Sequence, residues 1–357
     1  MMKILVINLM HVGDLLLVTP VLRTLRTNYP EAHIALLADS KLRDLVRLNK
    51  NIDELIEIDK KGYHNSLINY LRFVFAIRRR RFDLVINLHA NERASFIAAF
   101  SGGKKVVGYA SFGLGILYDF CMKNRKAVKH QVHSHFDLLK EGLGIKMMDD
   151  RGIEMWLDEE SLASADQLWA KAFTNCHGEH SEAICPPVIG LNIGASWPTK
   201  RWPKEYYAEL ADRLLEKGYG IAYLGGPMDE EIVQEAISLM KHKDSPHIGV
   251  FTGRMTLMEL GAVQKKCTAL VTNDSGPMHV ATAMNVPLVS IFGPSPVTGF
   301  YPYNKTSIVV KTPIHCHPCF RHHCDTLECM YAITVDEILE RTLAMVEKGM
   351  YHANCPY

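Results

Sequence analysis

Asp14 stands beside Gly13 in "MHVGDLLLVTP", where the apolar run "KILVINL" gives way to a helical pattern. A strand that feeds a glycine-bearing turn is a common seat for a pyrophosphate, and a carboxylate there repels one. A carboxylate within reach of a hydroxyl can take its proton as the oxygen attacks. It can instead cap the helix beginning at Leu15 by accepting from backbone N–H groups. The turn alone leaves both readings open.

Three stretches in the second half of the chain carry residues of the opposite preference. "NIGASWPTKRWP" holds Ser196 and Lys200, with Pro203 placed to open a helix. A hydroxyl and an ammonium beside a helix start suit a diphosphate; a plain loop with a surface lysine reads the same way. "GGPMDEE" offers Gly225 and Gly226 for a tight turn or close ligand approach. Its Asp229 can accept from ribose hydroxyls or cap the helix starting near Glu230. In "TNDSGPMHVATA", Asp274, Ser275 and Gly276 end an apolar run and Pro277 opens a helix carrying His279. The amides and positive dipole end of that helix favour phosphate. Asp274 suits sugar hydroxyls or a cap, and His279 either a ligand or the core.

These residues share one position, just after a strand. The runs "KILVINL", "HIALLAD", "DELIEID", "DLVINLH" and "KVVGY" alternate with helical patterns near Leu15–Asn28, Lys41–Leu48, Asn65–Arg79 and Glu92–Phe100. After a polar stretch from about Thr174 to Pro187 the alternation restarts with "VIGLNIG", "GIAYLGG", "HIGVFTG", "ALVTNDS" and "PLVSIFG". Strands alternating with helices, and apolar nearly throughout, predict parallel sheets covered on both faces. In such sheets ligands sit outside the carboxyl ends of the strands. With 357 residues the chain has room for two such domains: an α/β architecture of two Rossmann-like, doubly wound sheets facing a central cleft, residues 1–175 and 176–357.

The formal net charge is only +1, but residues 1–150 carry 23 Lys and Arg against 15 Asp and Glu. The first half is therefore expected to meet something anionic. The first residues enter a strand pattern directly, without the basic region and the cleavage site of a signal peptide. No run reaches the ~20 apolar residues of a membrane span. A cytoplasmic protein with mostly reduced cysteines is the expectation.

In their order along nearly the whole chain, "MHVGD", "GASWPTKRWP" and "TNDSGPMHVATA" resemble glycosyltransferase family 9, the ADP-heptose:lipopolysaccharide heptosyltransferases. The resemblance implies a GT-B fold whose C-terminal domain binds the nucleotide sugar and whose N-terminal domain binds a lipid-linked acceptor, with the last helix crossing back to the first domain. It implies an inverting transfer from ADP-heptose to the inner core of lipopolysaccharide, without a metal or other cofactor. Asp14 matches the catalytic base. Ser196 and Lys200 match residues at the donor phosphates, Lys200 stabilising the leaving ADP. Asp229 falls near a ribose-binding acid, and Met255 in "TGRMTL" matches a residue against the adenine. Asp274, Ser275, Gly276 and His279 match the sugar- and diphosphate-binding segment. Ala195 stands where some members carry a second hydroxyl. Two alternatives remain: a glycosyltransferase or epimerase of the same fold using another nucleotide sugar, and a non-catalytic nucleotide-binding protein.

The basic first half then has a partner in the anionic acceptor. "IRRRRF" (Arg78–Arg81) and "KNRKAVKH" (Lys123–His130) suit that acceptor or the anionic inner leaflet of the membrane; the arginines also suit a helix C-terminus. With Gly13, the residues His89, Asn91 and Arg93 in "LHANERAS" are acceptor-site candidates. Nucleic acid is not an expected partner. Cys316, Cys319, Cys324 and Cys329 in "CHPCFRHHCDTLECM" have spacing able to hold a structural metal, although reduced thiols or a local disulfide fit equally and the family's reaction uses no metal.

Overall fold

A computed structural model describes residues 1–123, 128–173, 186–253 and 255–353, with side chains to residue 347. It divides into two compact units, Met1–Trp156 and Leu157–Tyr357.

The first unit holds β1 (Lys3–Ile7), β2 (His33–Asp39), β3 (Glu54–Ile58), β4 (Leu84–Asn87), β5 (Lys105–Gly108) and β6 (Phe120–Cys121). Its helices are α1 (Val12–Leu16), α2 (Thr19–Asn28), α3 (Leu67–Arg79), α4 (Glu92–Phe100) and α5 (Gln131–Leu143). The strands pair in parallel in the order β3-β2-β1-β4-β5-β6. The helix expected over Leu15–Asn28 is two helices. Pro20 cannot donate to the Leu16 carbonyl, and the Thr19 hydroxyl does so instead at 2.8 Å. The helical pattern at Lys41–Leu48 is a short 3₁₀ turn, Ser40–Leu45.

The second unit repeats the plan. It begins with α6 (Glu159–Ala172) and continues with β7 (Val188–Asn192), α7 (Lys204–Glu216), β8 (Gly220–Leu224), α8 (Glu230–Leu239), β9 (Ile248–Val250), α9 (Leu257–Lys266) and β10 (Ala269–Asn273). It ends with α10 (Gly276–Ala283), β11 (Leu288–Phe292), α11 (Val297–Phe300), β12 (Ser307–Lys311), α12 (Glu328–Tyr331) and α13 (Val335–Ala353). The order is β12-β11-β10-β7-β8-β9, again parallel throughout. Two Rossmann-like sheets of this order in one chain make the GT-B fold.

Alternation along each strand feeds two cores. Ile189, Leu191, Tyr223, Val271 and Ile291 point to a core shared with α7 and α13. Val188, Ala222, Leu224, Leu270 and Phe292 point to the other, against α6, α9 and α10. Strands covered on both faces read as continuously apolar, which is why they stand out in the sequence.

One boundary differs from the expectation. The units part at Trp156, ahead of the expected break at 175, because α6 packs on α9 and β9. Trp169 stacks on Phe251 at 5.6 Å, and Ala165 is fully buried. The polar stretch read as the joint lies, over 174–185, outside the described residues. Ile338, Leu339, Met345 and Val346 of α13 belong to the second unit's core, where α13 packs on α7, β10 and β11.

In each unit burial strongly depresses the pKa of one histidine. Burial pushes His135 of α5 down to about 3 and His279 of α10 down to about 4. An unfolded histidine titrates near 6.5, so between about 6.5 and 4 the unfolded chain binds protons that the folded chain refuses. The stability these neutral rings contribute is full above about 6.5 and is lost as pH falls. Melting temperatures should therefore drop between pH 7 and pH 5, and by less in a His135→Gln, His279→Gln variant. A parent melting temperature that is flat over that interval would refute the assignment.

Candidate functional site

In both sheets the strand order reverses between the first and fourth strands, between β1 and β4 in one and between β7 and β10 in the other. The loops leaving those strands are the ligand positions of a doubly wound sheet.

In the second unit two buried asparagines tie these loops together. Asn192, the last residue of β7, donates through Nδ2 to Thr272 Oγ1 at 3.0 Å and Ser275 Oγ at 3.1 Å. Asn273, the last residue of β10, donates to the Ile193 carbonyl at 2.8 Å and accepts from the Trp202 N–H at 3.1 Å. A pocket of about 300 Å³ opens beside them, lined by Ser196, Asp229, Met255, Ser275 and Gly276 among others. Five of the eight donor-side candidates thus meet in one cavity.

Ser275 holds the N-cap position of α10, but its side chain makes no capping bond. The first N–H groups of α10 are left for a ligand, and an anion there gains from the helix dipole. Met255 is followed by Thr256, whose N–H donates to Glu259 Oε2 at 2.7 Å while the Glu259 N–H donates to Thr256 Oγ1 at 3.2 Å. This reciprocal cap fixes the start of α9. With Leu257 and Leu260 it supplies an apolar wall to the pocket.

Asp229 occupies the N-cap position of α8 without capping it. Its carboxylate turns back and accepts from the Gly226 N–H at 2.9 Å. Gly194 makes room for it: a Cβ there would lie 2.2 Å from Asp229 Cγ. Gly194→Ala must displace that carboxylate. We expect the variant to stay folded and to lose nucleotide affinity, read by calorimetric titration; parental affinity would show that the placement of Asp229 is immaterial.

Lys200, Asp274 and His279 form a second group beside the pocket. Lys200 Nζ lies 2.7 Å from Asp274 Oδ2 and 4.5 Å from the centre of the Trp197 ring. Asp274 also accepts from Ser295 Oγ at 2.5 Å. His279 is buried, and its Nδ1 has no hydrogen-bond partner among the described residues. Its depressed pKa keeps the ring neutral. Asp274 is therefore a buried, paired carboxylate and no helix cap.

In the first unit, His11 is the N-cap of α1, so Asp14 lies in the first helical turn and not at the N-cap position. Asp14 is half-buried and Gly13 buried. His89 follows β4 and is buried, its N–H donating to Asn87 Oδ1 at 3.2 Å. Asn91 caps α4 through the Ala94 N–H at 2.8 Å. Arg93 holds the Lys60 carbonyl at 2.7 Å and Asn65 Oδ1 at 2.8 Å. Asn91 and Arg93 thus have structural work of their own. Lys129 is paired with Asp137 and Arg80 with Glu54; residues 124–127 of the second basic stretch lie outside the described residues.

Four residues near these groups escaped the sequence reading. Lys60 pairs with Asp39 at 2.9 Å and donates to the Leu9 carbonyl at 2.5 Å, in the loop that leads into α1 and Asp14. Ser295, in the loop after β11, holds Asp274. Trp197 flanks Lys200. For Asp39, Lys60 and Ser295 the available signal was their place just after a strand.

The cysteine-rich segment lies against the same loops. His317 Nε2 is 3.1 Å from the Ser295 carbonyl, Thr199 Oγ1 donates to the Arg321 carbonyl at 2.7 Å, and Trp197 stacks on His322 at 3.7 Å. Cys316, Cys319, Cys324 and Cys329 are free thiols. Among the described residues no group of three or more His, Cys, Asp or Glu is placed to hold a metal. The structure thus gives the segment a packing role at the site.

The family model described as glycosyltransferase family 9 (heptosyltransferase) matches residues 70–330. Lipopolysaccharide heptosyltransferase 2 of Escherichia coli (strain K12) is 28% identical over 296 residues, 82% of this chain and 83% of that protein. A glycosyl transferase family 9 structure from Veillonella parvula DSM 2008 is 32% identical, with a TM-score of 0.86 over 97% of this chain and 98% of that one. The structure of E. coli ADP-heptose lipopolysaccharide heptosyltransferase II superposes with a TM-score of 0.78 over 98% and 100% of the two chains; at 24% identity that likeness is one of fold.

Proposed function

We propose the following for a chain that belongs to glycosyltransferase family 9: it moves heptose from ADP-heptose to the inner core of lipopolysaccharide by single displacement with inversion. The observation that carries this reading is the convergence of Ser196, Asp229, Met255, Ser275 and Gly276 on one pocket at the strand reversal of the second unit.

Each has a role there. The apolar wall at Met255 takes the base, Asp229 the ribose hydroxyls, and Ser196 with the open N–H groups of α10 the diphosphate. Lys200 faces the charge that develops on the leaving ADP. An ammonium has three donors, and the Asp274 pair occupies one. Fixed donors aimed at developing charge act without reorganisation in the transition state, so we assign the leaving-group role to Lys200 and α10 rather than to a metal. The second unit is the donor domain and the first the acceptor domain, where Asp14 takes the proton of the attacking hydroxyl. Gly13, His89, Asn91 and Arg93 border that acceptor site. Action at the cytoplasmic face of the inner membrane fits these substrates.

Product analysis by mass spectrometry, with ADP-heptose and a panel of truncated lipopolysaccharide acceptors, tests the assignment. One added heptose, inhibition by ADP ahead of UDP and GDP, and a rate untouched by chelator are expected. Transfer from a different nucleotide sugar would replace the donor assignment, and epimerisation without transfer would replace the reaction.

A further inference from the structure

The exposed side of α3 is not what a water-facing helix surface looks like. Leu67 is 71% exposed, Ile68 65%, Leu71 36% and Phe75 63%. At 100° per residue these four share one sector of roughly a quarter of the helix circumference. The side next to that sector is also apolar and faces inward: Val74 and Ile77 are buried in the first unit's core, with Tyr70 and Phe73 packed against it. A helix of a water-soluble protein normally turns polar residues outward where α3 turns leucine, isoleucine and phenylalanine.

The charge around this face has one sign. From Ser66 to Arg81 the chain has five arginines and no carboxylate. Arg72, Arg78, Arg79 and Arg81 are exposed. Arg80 pairs with Glu54, but among the described residues the other four make no ion pair. Tyr63, 65% exposed, precedes the helix, and Phe100, 39% exposed, adjoins its far end, where its carbonyl accepts from Arg78 at 3.4 Å.

We propose that this face of α3 docks the protein on a lipid bilayer with anionic headgroups, Leu67, Ile68, Leu71 and Phe75 entering the headgroup–acyl boundary while the arginines hold lipid phosphates. An apolar sector bordered by basic side chains, on a helix lying in the interface plane, is the general form of an interfacial anchor. Each basic residue near an anionic surface contributes attraction that salt screens. A second copy of the chain is a poor occupant, since a two-fold interface would set four unpaired arginines against their own images. The proposal stands on the first unit's surface and is independent of which sugar the enzyme transfers.

Co-sedimentation of the full chain with phosphatidylglycerol–phosphatidylethanolamine vesicles, and with phosphatidylcholine vesicles, tests it. The parent should bind the anionic vesicles, less so as salt rises, and bind phosphatidylcholine weakly. Ile68→Glu, Phe75→Glu and, separately, Arg78→Glu, Arg79→Glu should each weaken anionic-vesicle binding about tenfold or more. All four positions are exposed, so circular dichroism and ADP affinity should stay parental and separate loss of docking from loss of fold. Equal binding of parent and variants, equal binding to both vesicle types, or no parental binding would overturn the proposal. A parent dimer in light scattering that Phe75→Glu dissolves would give the face to a second copy and overturn it as well.

Discussion

Asp14→Asn is expected to leave the protein folded, to bind ADP-sugar as the parent does, and to transfer heptose about 10²–10⁴-fold more slowly, the usual contribution of a general base. The amide keeps the size of the carboxylate and loses its basicity. Asp14 lies half-buried in the first turn of α1, where a charge that favours the helix dipole is worth about 0.3–1 kcal/mol when exposed and up to ~2 kcal/mol when partly buried. Melting temperature, ADP affinity and single-turnover rate therefore answer separate questions. A rate within a few-fold of the parent's would mean that the base is elsewhere. Asp14 would then be only a favourable first-turn acid.

Lys200→Ala is expected to lower kcat/KM by about one to two decades, from a lost charge-assisted hydrogen bond of roughly 1.5–3 kcal/mol. Here stability moves too. Asp274, with 8% of its side chain exposed, loses its cation and keeps only the Ser295 hydroxyl among the partners described above. Breaking a buried pair from one side typically costs about 3–5 kcal/mol, and the Ser295 bond holds this case toward the lower end. Adding Asp274→Asn removes the stranded charge. The double variant should recover most of the melting temperature and none of the rate. If the rate recovers with stability, Lys200 serves only to neutralise Asp274. If the single variant keeps parental kcat/KM, the leaving diphosphate does not need it.

Much of the candidate pocket was legible because its determinants are local. Ser275, Gly276 and Pro277 mark a strand end followed by a helix start within a few residues, and the structure puts them on the pocket wall beside Ser196 and Met255. The partners of the charged groups were not legible. Lys200 reads as a free cation in "SWPTKRW", and Asp274 reads as a cap in "TNDSG". Their pairing depends on β7 and β10 lying side by side, which no local pattern encodes. The same holds for Asp39 and Lys60, brought together by the pairing of β2 with β3. β12 and β6 went unread for another reason. β12 is only half-buried for most of its length and β6 has two residues, so neither presents the apolar run that marks an interior strand.

The two α/β units, their parallel strands and the strand-end residues available for chemistry are readable from the order of residues alone, because strands covered on both faces must be apolar and their turns must be built from glycine, proline and capping side chains. That α6 joins the second unit, that Asp274 holds both Lys200 and Ser295, and that α3 shows an apolar face to the outside were settled by packing between distant segments. Those outcomes rest on which surfaces and charges meet across long separations in the chain, and apolar periodicity says that a face will be covered without saying by what.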